Sequence, residues 1–302
     1  MAEPERVHVE IDGHRLAVSN LEKVMYPLVG FTKAQVIDYY ARIAPTMLPH
    51  IADRGVTLRR CPDGVTADSF FEKRCPSHRP GWVGTCLGPG DRRGGIEYCR
   101  LDSVAALAWT ANLAALEIHA PMARCGEVDA PTMLVFDLDP GAPATIVECC
   151  QVALEIRDIL DTVGLVSYAK TSGSKGLQLY VPLNTPHEHE HASDFALAVA
   201  QLLEKKRPDL ILSNMNRKLR KGKVFIDWSQ NSRHKTTIAP YSMRGKDRPT
   251  VSTPISWDEV ADGGDGEPLG YETEEVLQRV DALGDLFADT VERQQELPVA
   301  GA

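Results

Sequence analysis

The 302-residue sequence predicts an α+β protein. Three observations carry that reading. Strand-like and helix-like segments follow one another as β-α-β-β-α-β between residues 132 and 228, the split βαβ pattern. A long amphipathic helical pattern stands near the N-terminus, and a Pro-, Gly- and Arg-rich stretch separates it from a second helical pattern.

In chain order, "TKAQVIDYYARIAPTML" has helical spacing of its apolar residues. "CPSHRPGWVGTCLGPGDRRGG" reads as largely loop, and "SVAALAWTANLAALEIHA" as a helix apolar nearly all round, hence buried. "TMLVFDLD" is a short apolar strand, and "ATIVECCQVALEIRDILDTV" an amphipathic helix ended by Gly164. "LVSYAKT" is a strand, "SGSKG" a turn and "LQLYVPL" a strand. "SDFALAVAQLLEKK" is a helix stopped before Pro208, and "KVFIDWS" a strand. The chain is then turn-rich and finishes in an acidic helical segment over about residues 273–295. In the split βαβ topology the first strand is central and the last is its neighbour, so Asp227 is expected beside Asp137 and Asp139.

Of the residues, 43% are hydrophobic and 25% charged, an ordinary globular composition with a net charge of −9. That balance alone argues weakly against a nucleic-acid partner, but it is uneven. Between residues 205 and 223 there are eight basic residues against one acid, and between 258 and 281 nine acids against one arginine. An acidic end can dominate net charge while a basic surface binds. No signal peptide or membrane span is apparent, and the seven scattered cysteines read as reduced thiols, which places the protein in the cytoplasm. Cys75-x-x-His78, with Cys86 and Cys99 nearby, lacks the paired spacing of a zinc site, and "HEHEHASD" reads as solvated surface, so no zinc is expected.

Chemistry concentrates in two places. Residues two apart on a strand share a face, so Asp137 and Asp139 in "VFDLDPG" converge. Paired carboxylates repel unless a cation lies between them, and oxygen-only ligands suit Mg²⁺ or Mn²⁺. A third carboxylate, Asp227, completes a cage for two metals, the usual device for nucleotidyl transfer; the plain alternative is a capped turn with a solvated acid. In "TSGSKGLQLY", two glycines bracket Ser174 and Lys175 in a tight turn whose N–H groups are expected to form an anion nest, with Lys175 adding a charge and Ser172 a hydroxyl; the plain alternative is a simple hairpin turn. Downstream, Arg244 stands in the otherwise uncharged "TTIAPYSMRG" and is placed in the site ahead of Arg233 and Lys235.

Together, "VFDLDP", "TSGSKGLQLY" and "KVFIDWSQNSRHKTTIAPYSMRG" closely resemble the polymerase domain of bacterial DNA ligase D, in the archaeo-eukaryotic primase superfamily. "SNLEKVMYP", "TKAQVIDYYARIAPTMLPHI" and "SFFEKR" look like the same family, so the resemblance covers about residues 18–285. It implies a primase-polymerase fold with an RRM-like βαββαβ core: one domain over 1–285, with 1–131 a DNA-contacting α/β part, 132–250 the catalytic core, and 286–302 a tail. It also implies template-directed addition of ribo- or deoxyribonucleotides to primer 3′-OH ends, filling short gaps with two Mn²⁺ or Mg²⁺ ions. Asp137, Asp139 and Asp227 would be the catalytic metal ligands. Ser172, Lys175, Gln178, Gln230 and Arg244 would hold the nucleotide. Lys23 and Lys33 would grip a 5′-phosphate, Phe70 and Phe71 would stack on the template, with ordinary core packing as the plain alternative, and Arg220 would lie near DNA termini, with a solvated charge as the plain alternative. Implied partners are gapped DNA or ends with a 5′-phosphate, nucleoside triphosphates, a separate DNA ligase and Ku, in the bacterial nucleoid.

Two departures stand out. The resembled motif reads Ser-Gly-x-Lys-Gly-x-His, and this sequence has Gln178 in the last place. A neutral amide grips phosphate less well than a cationic ring and donates no proton, so weaker triphosphate binding or slower turnover is expected. Neither the ligase nor the phosphoesterase domain of ligase D is apparent, so the chain is expected to be either an excised domain or a stand-alone relative, the acidic end and the start at Met1 favouring the second. The competing readings are a non-catalytic module that binds DNA ends and 5′-phosphates, and a metal-dependent phosphoesterase.

Overall fold

The structure is a computed structural model and describes residues 6–90 and 95–298. The chain forms two compact units of interleaved segments. One comprises Met1–Ala120, Ile238–Val251 and Tyr271–Gly284; the other comprises Pro121–Thr237, Ser252–Gly270 and Asp285–Ala302. Among the described residues no helix is long and apolar enough to cross a membrane.

The second unit is built on a six-stranded sheet in the order Ile211–Leu212, Val224–Asp227, Met133–Pro140, Leu177–Pro182, Tyr168–Thr171, Pro254–Ile255. Met133–Pro140 is therefore central, with Val224–Asp227 antiparallel on one side and Leu177–Pro182 on the other. The β-α-β-β-α-β order is present, extended by a short strand at each edge. Leu134, Phe136 and Leu138 are fully buried while Asp137 and Asp139 are only half-buried, the period-two alternation of a strand with one polar face. The helix Ile146–Thr162 begins with a capping box between Thr145 and Glu148 and buries Cys149, Val152, Ala153, Ile156 and Leu160. Burying each large aliphatic side chain contributes about 1.5–3 kcal/mol. Gly164, at φ +74°, turns the chain out of the helix. The second helix runs His189–Lys206 and packs on the same sheet. It begins inside the histidine-rich run, so that run is not simply solvated. His189 is half-buried and bridges the Asn231 carbonyl at 2.7 Å and the Val128 carbonyl at 3.1 Å.

The first unit is organised around the strand Gly55–Arg60, which pairs with Ala115–Pro121, Phe70–Glu72 and Ile96–Arg100. The helix Lys33–Ile51 starts with a Thr32–Gln35 capping box and buries Val36, Tyr39, Tyr40, Ile43 and Met47. Tyr39 and Tyr40 satisfy their hydroxyls on the carbonyls of Tyr241 and Leu116, each at 2.8 Å.

Three expectations are corrected here. The apolar run 103–120 is a helix only over Val104–Asn112; the chain turns at Ala114, φ +58°, and continues as the strand Ala115–Pro121. A run buried on all sides has no periodicity to tell helix from strand. The expected loop at 75–95 contains the strand Gly84–Gly88, paired with Ile96–Arg100; residues 91–94 lie outside the described residues. The cysteines are not all reduced. Cys75 and Cys99 form a disulfide, with Cα atoms 4.7 Å apart, and beside it the Cys75 N–H donates to the Glu97 carbonyl at 2.8 Å. Cys61, Cys149 and Cys150 are buried free thiols.

Candidate active site

The central strand assembles the site in the second unit. Asp137 is the Cα partner of Gln178 on one side and of Asp227 on the other. Gln178 Nε2 donates to Asp137 Oδ1 at 3.0 Å. Burial first, and then the charge of Asp139, pushes the Asp137 carboxyl up to about 7; Asp227 adds to the rise, while Gln178 and Lys170 oppose it. Asp227 caps the short turn Trp228–Asn231: its Oδ1 accepts from the Ser229 N–H and hydroxyl, and its Oδ2 from Gln230 Nε2 at 3.1 Å. Asn231 is fully buried, and its side chain continues the ladder where Val224–Asp227 ends. It accepts from the Val135 N–H and donates to the Val135 carbonyl, both at 2.8 Å.

Asp139 faces a cation. Arg220 Nη1 lies 3.5 Å from Asp139 Oδ2, and its guanidinium sits over the Phe225 ring at 3.8 Å. Gly141 makes this approach possible: a Cβ there would fall 1.9 Å from the Arg220 carbonyl oxygen. Among the described residues no three His, Cys, Asp or Glu side chains stand gathered as a metal cluster. The three carboxylates line one patch of sheet, but Asp139 leans toward Arg220 and Asp227 toward its own turn. The donor set nonetheless fits a hard divalent cation, because it is all oxygen and its central member carries the cost of buried like charge.

The turn 172–176 abuts the central strand. Gly176 is required there, since a Cβ would lie 2.2 Å from the Leu138 carbonyl oxygen. The expected anion nest is partly used internally. Ser172 Oγ accepts from the N–H groups of Ser174 at 3.3 Å and Gly176 at 3.2 Å. Lys175 Nζ donates to the Pro140 carbonyl at 3.0 Å, one residue beyond Asp139.

The first unit holds the remaining predicted residues. Arg244 Nε lies 3.6 Å from Glu117 Oε1. Glu117 is 1% exposed and also binds Arg59 Nη1 at 2.6 Å, His119 Nε2 at 2.8 Å and the Gly245 N–H at 3.0 Å. Phe70 and Phe71 are 46% and 60% exposed, which excludes core packing for either ring. Lys23 pairs with Asp63 at 2.7 Å. Lys33 Nζ is buried on the Ser19 carbonyl at 2.7 Å; burial first, then Lys23 and Arg60, lowers its ammonium to about 8.

The structure thus brings Asp137, Asp139, Asp227, Ser172, Lys175, Gln178, Gln230 and Arg220 together in one unit and places Arg244, Lys23, Lys33, Phe70 and Phe71 in the other. Gln230 Oε1 and Arg220 Nε in the one unit, and Arg244 Nε in the other, are buried polar atoms without a hydrogen-bond partner. The sequence reading missed Glu117 and Lys170. Glu117 carries a signal, a lone acid in the apolar run "ALEIHAP"; Lys170, on an edge-side strand, carries none.

The profile of a known family, described as "LigD, primase-polymerase domain", matches residues 32–287. The multifunctional non-homologous end joining protein LigD of Mycolicibacterium smegmatis is 46% identical over 278 residues, covering 91% of this chain and 36% of that protein. The bifunctional LigD of Bacillus subtilis is 31% identical over 287 residues, 95% of this chain and 46% of that one. The chain therefore spans between a third and a half of these relatives. The solved polymerase domain from Mycobacterium tuberculosis ligase D, in complex with DNA, superposes with a TM-score of 0.86 at 43% identity, covering 92% of this chain and 98% of that one.

Proposed function

This chain belongs to the LigD primase-polymerase domain family, and on that premise we propose that it is a DNA-dependent nucleotidyltransferase that extends primer 3′-OH ends across short gaps. The observation that carries the reading is the register: Asp137 faces Asp227 across one ladder, with Asp139 on the same face two residues along. Asp137, Asp139 and Asp227 would hold two Mn²⁺ or Mg²⁺ ions. Held there, such ions would polarise the α-phosphate and lower the pKa of the attacking hydroxyl. Lys175 and Ser172 would place the triphosphate beside the carboxylates, and Gln230 would turn its unpartnered carbonyl oxygen toward the nucleotide. Arg220 neutralises Asp139 in this structure, so it would have to yield for Asp139 to serve as a ligand. In the other unit, Phe70 and Phe71 would stack on template bases, Lys23 and Lys33 would take the 5′-phosphate, and Arg244 would bind phosphate. DNA ends, a separate ligase and Ku are the partners on this reading.

The test is extension of a labelled primer across a one- to few-nucleotide gap with a downstream 5′-phosphate, comparing Mn²⁺ with Mg²⁺, ribo- with deoxyribonucleotides, and wild type with Asp137→Ala. Template-matched addition that vanishes in Asp137→Ala is expected. Gapped DNA bound with no addition under any condition would replace this reading with the non-catalytic end-binding module.

A further inference from the structure

Lys170 lies on Tyr168–Thr171 and is 0% exposed. It is the Cα partner of Gln178, and Gln178 is the Cα partner of Asp137, so the three form one row across adjacent strands. Lys170 Nζ donates to Gln178 Oε1 at 2.5 Å and to Ser252 Oγ at 2.6 Å, and lies 5.4 Å from the Tyr180 ring centre. On its other side, the same glutamine donates from Nε2 to Asp137 Oδ1 at 3.0 Å. A lone glutamine amide can face either way round, since oxygen and nitrogen have nearly the same shape. An ammonium has donors only, so beside Lys170 the oxygen must face inward and the nitrogen must face Asp137.

We propose that Lys170 is a positioning residue for the nucleotidyl-transfer site, locking the Gln178 amide so that its nitrogen holds Asp137 in place. The proposal rests on the polymerase reading for its kinetic consequence and on the hydrogen-bond row for its geometry. It changes what the glutamine means. Gln178 departs from the histidine of the resembled motif, but it does not act alone: a buried cation stands behind it and supplies the direction that a bare amide lacks. Without Lys170 the amide can flip and turn its oxygen toward Asp137, placing two acceptors face to face. The loss then falls on the reacting geometry, which is sensitive to small displacements.

The experiment follows the Gln178 side-chain NH₂ signals in ¹⁵N-labelled full chain, assigned by their absence in Gln178→Met, in wild type and Lys170→Met. Wild type should show a protected amide, and Lys170→Met should exchange its amide hydrogens at least about tenfold faster, the loss of one directing hydrogen bond. In gap extension, kcat should fall about tenfold in Lys170→Met with KM for the nucleotide unchanged. The Lys170→Met/Gln178→Met pair should fall no further than the worse single variant. An unchanged amide in a folded Lys170→Met protein overturns the proposal, as does a multiplicative loss in the double variant. Should Lys170→Met fail to fold, Gln178→His keeps the lysine. Its ring should show a single fixed tautomer by ¹⁵N shifts, one nitrogen accepting from Lys170 and the other donating to Asp137; a mixture of tautomers overturns the proposal. Absence of any extension by wild type refutes the polymerase reading alone, since the amide signals still decide what Lys170 does.

Discussion

Glu117→Gln removes a buried charge and little else, because glutamine keeps the shape of glutamate. The carboxylate is 1% exposed and collects Arg59, His119, Arg244 and the Gly245 N–H. Burial pushes this carboxyl up, but the His119 hydrogen bond, the Arg244 guanidinium and the Gly245 N–H outweigh it and hold the group at about 2, against an ordinary 4.5. The folded value lies below the unfolded one, so ionised Glu117 stabilises the fold above about pH 4.5 and that stability is lost as pH falls toward 2. The difference is worth about 3 kcal/mol at pH 7 and about 1 kcal/mol at pH 3. Removing one partner of a buried ion pair typically costs about 3–5 kcal/mol, in the same range. Urea unfolding of wild type and Glu117→Gln at pH 7 and pH 3 should therefore show a gap of about 3 kcal/mol that shrinks to about 1 kcal/mol. A gap of equal size at both pH values, or none at pH 7, would refute the assignment of Glu117 as the charge that holds Arg59 and Arg244.

Asp137→Asn should act in the opposite sense on stability. Burial and neighbouring acids raise this carboxyl to about 7, so in chelator the ionised form costs stability as pH rises from about 4 to 7. The asparagine variant should gain up to about 4 kcal/mol at pH 8 and little at pH 4 in denaturant unfolding; a loss at pH 8 would contradict the burial argument. Asn231→Ala removes two buried hydrogen bonds, to the Val135 N–H and the Val135 carbonyl, and a part-buried one to the Trp228 carbonyl, and should destabilise by about 2–4 kcal/mol by thermal unfolding. Phe71→Ala, at a ring 60% exposed, should leave unfolding stability within about 0.5 kcal/mol. It should weaken binding to gapped DNA by about 1–3 kcal/mol in a fluorescence titration; unchanged binding would remove the stacking role.

Much of the candidate site is legible in the sequence because it is written in local rules. Asp137 and Asp139 share a face because strand side chains alternate, and the helix Ile146–Thr162 ends just before Gly164, the stop read from the sequence. The strand order follows from the sequence of elements and puts Asp227 on the strand beside the one carrying Asp137 and Asp139; the register that sets it opposite Asp137 comes from the structure. Other features depend on which strand lies beside which, and no local pattern encodes that. The pairing of Cys75 with Cys99 depends on the fold bringing together residues 24 apart, the switch to a strand at Ala115 on burial from both faces, and the exposure of Phe70 and Phe71 on the place of their strand at the rim of the sheet. Arg220 reaches Asp139 because Gly141 has no side chain, a contact between residues 81 positions apart. Lys170 reaches Gln178 and Asp137 only through two ladder registers. Periodicity and capping are short-range and act on the chain as it is written, whereas the charge environment of each acid is a sum over neighbours that tertiary packing alone selects.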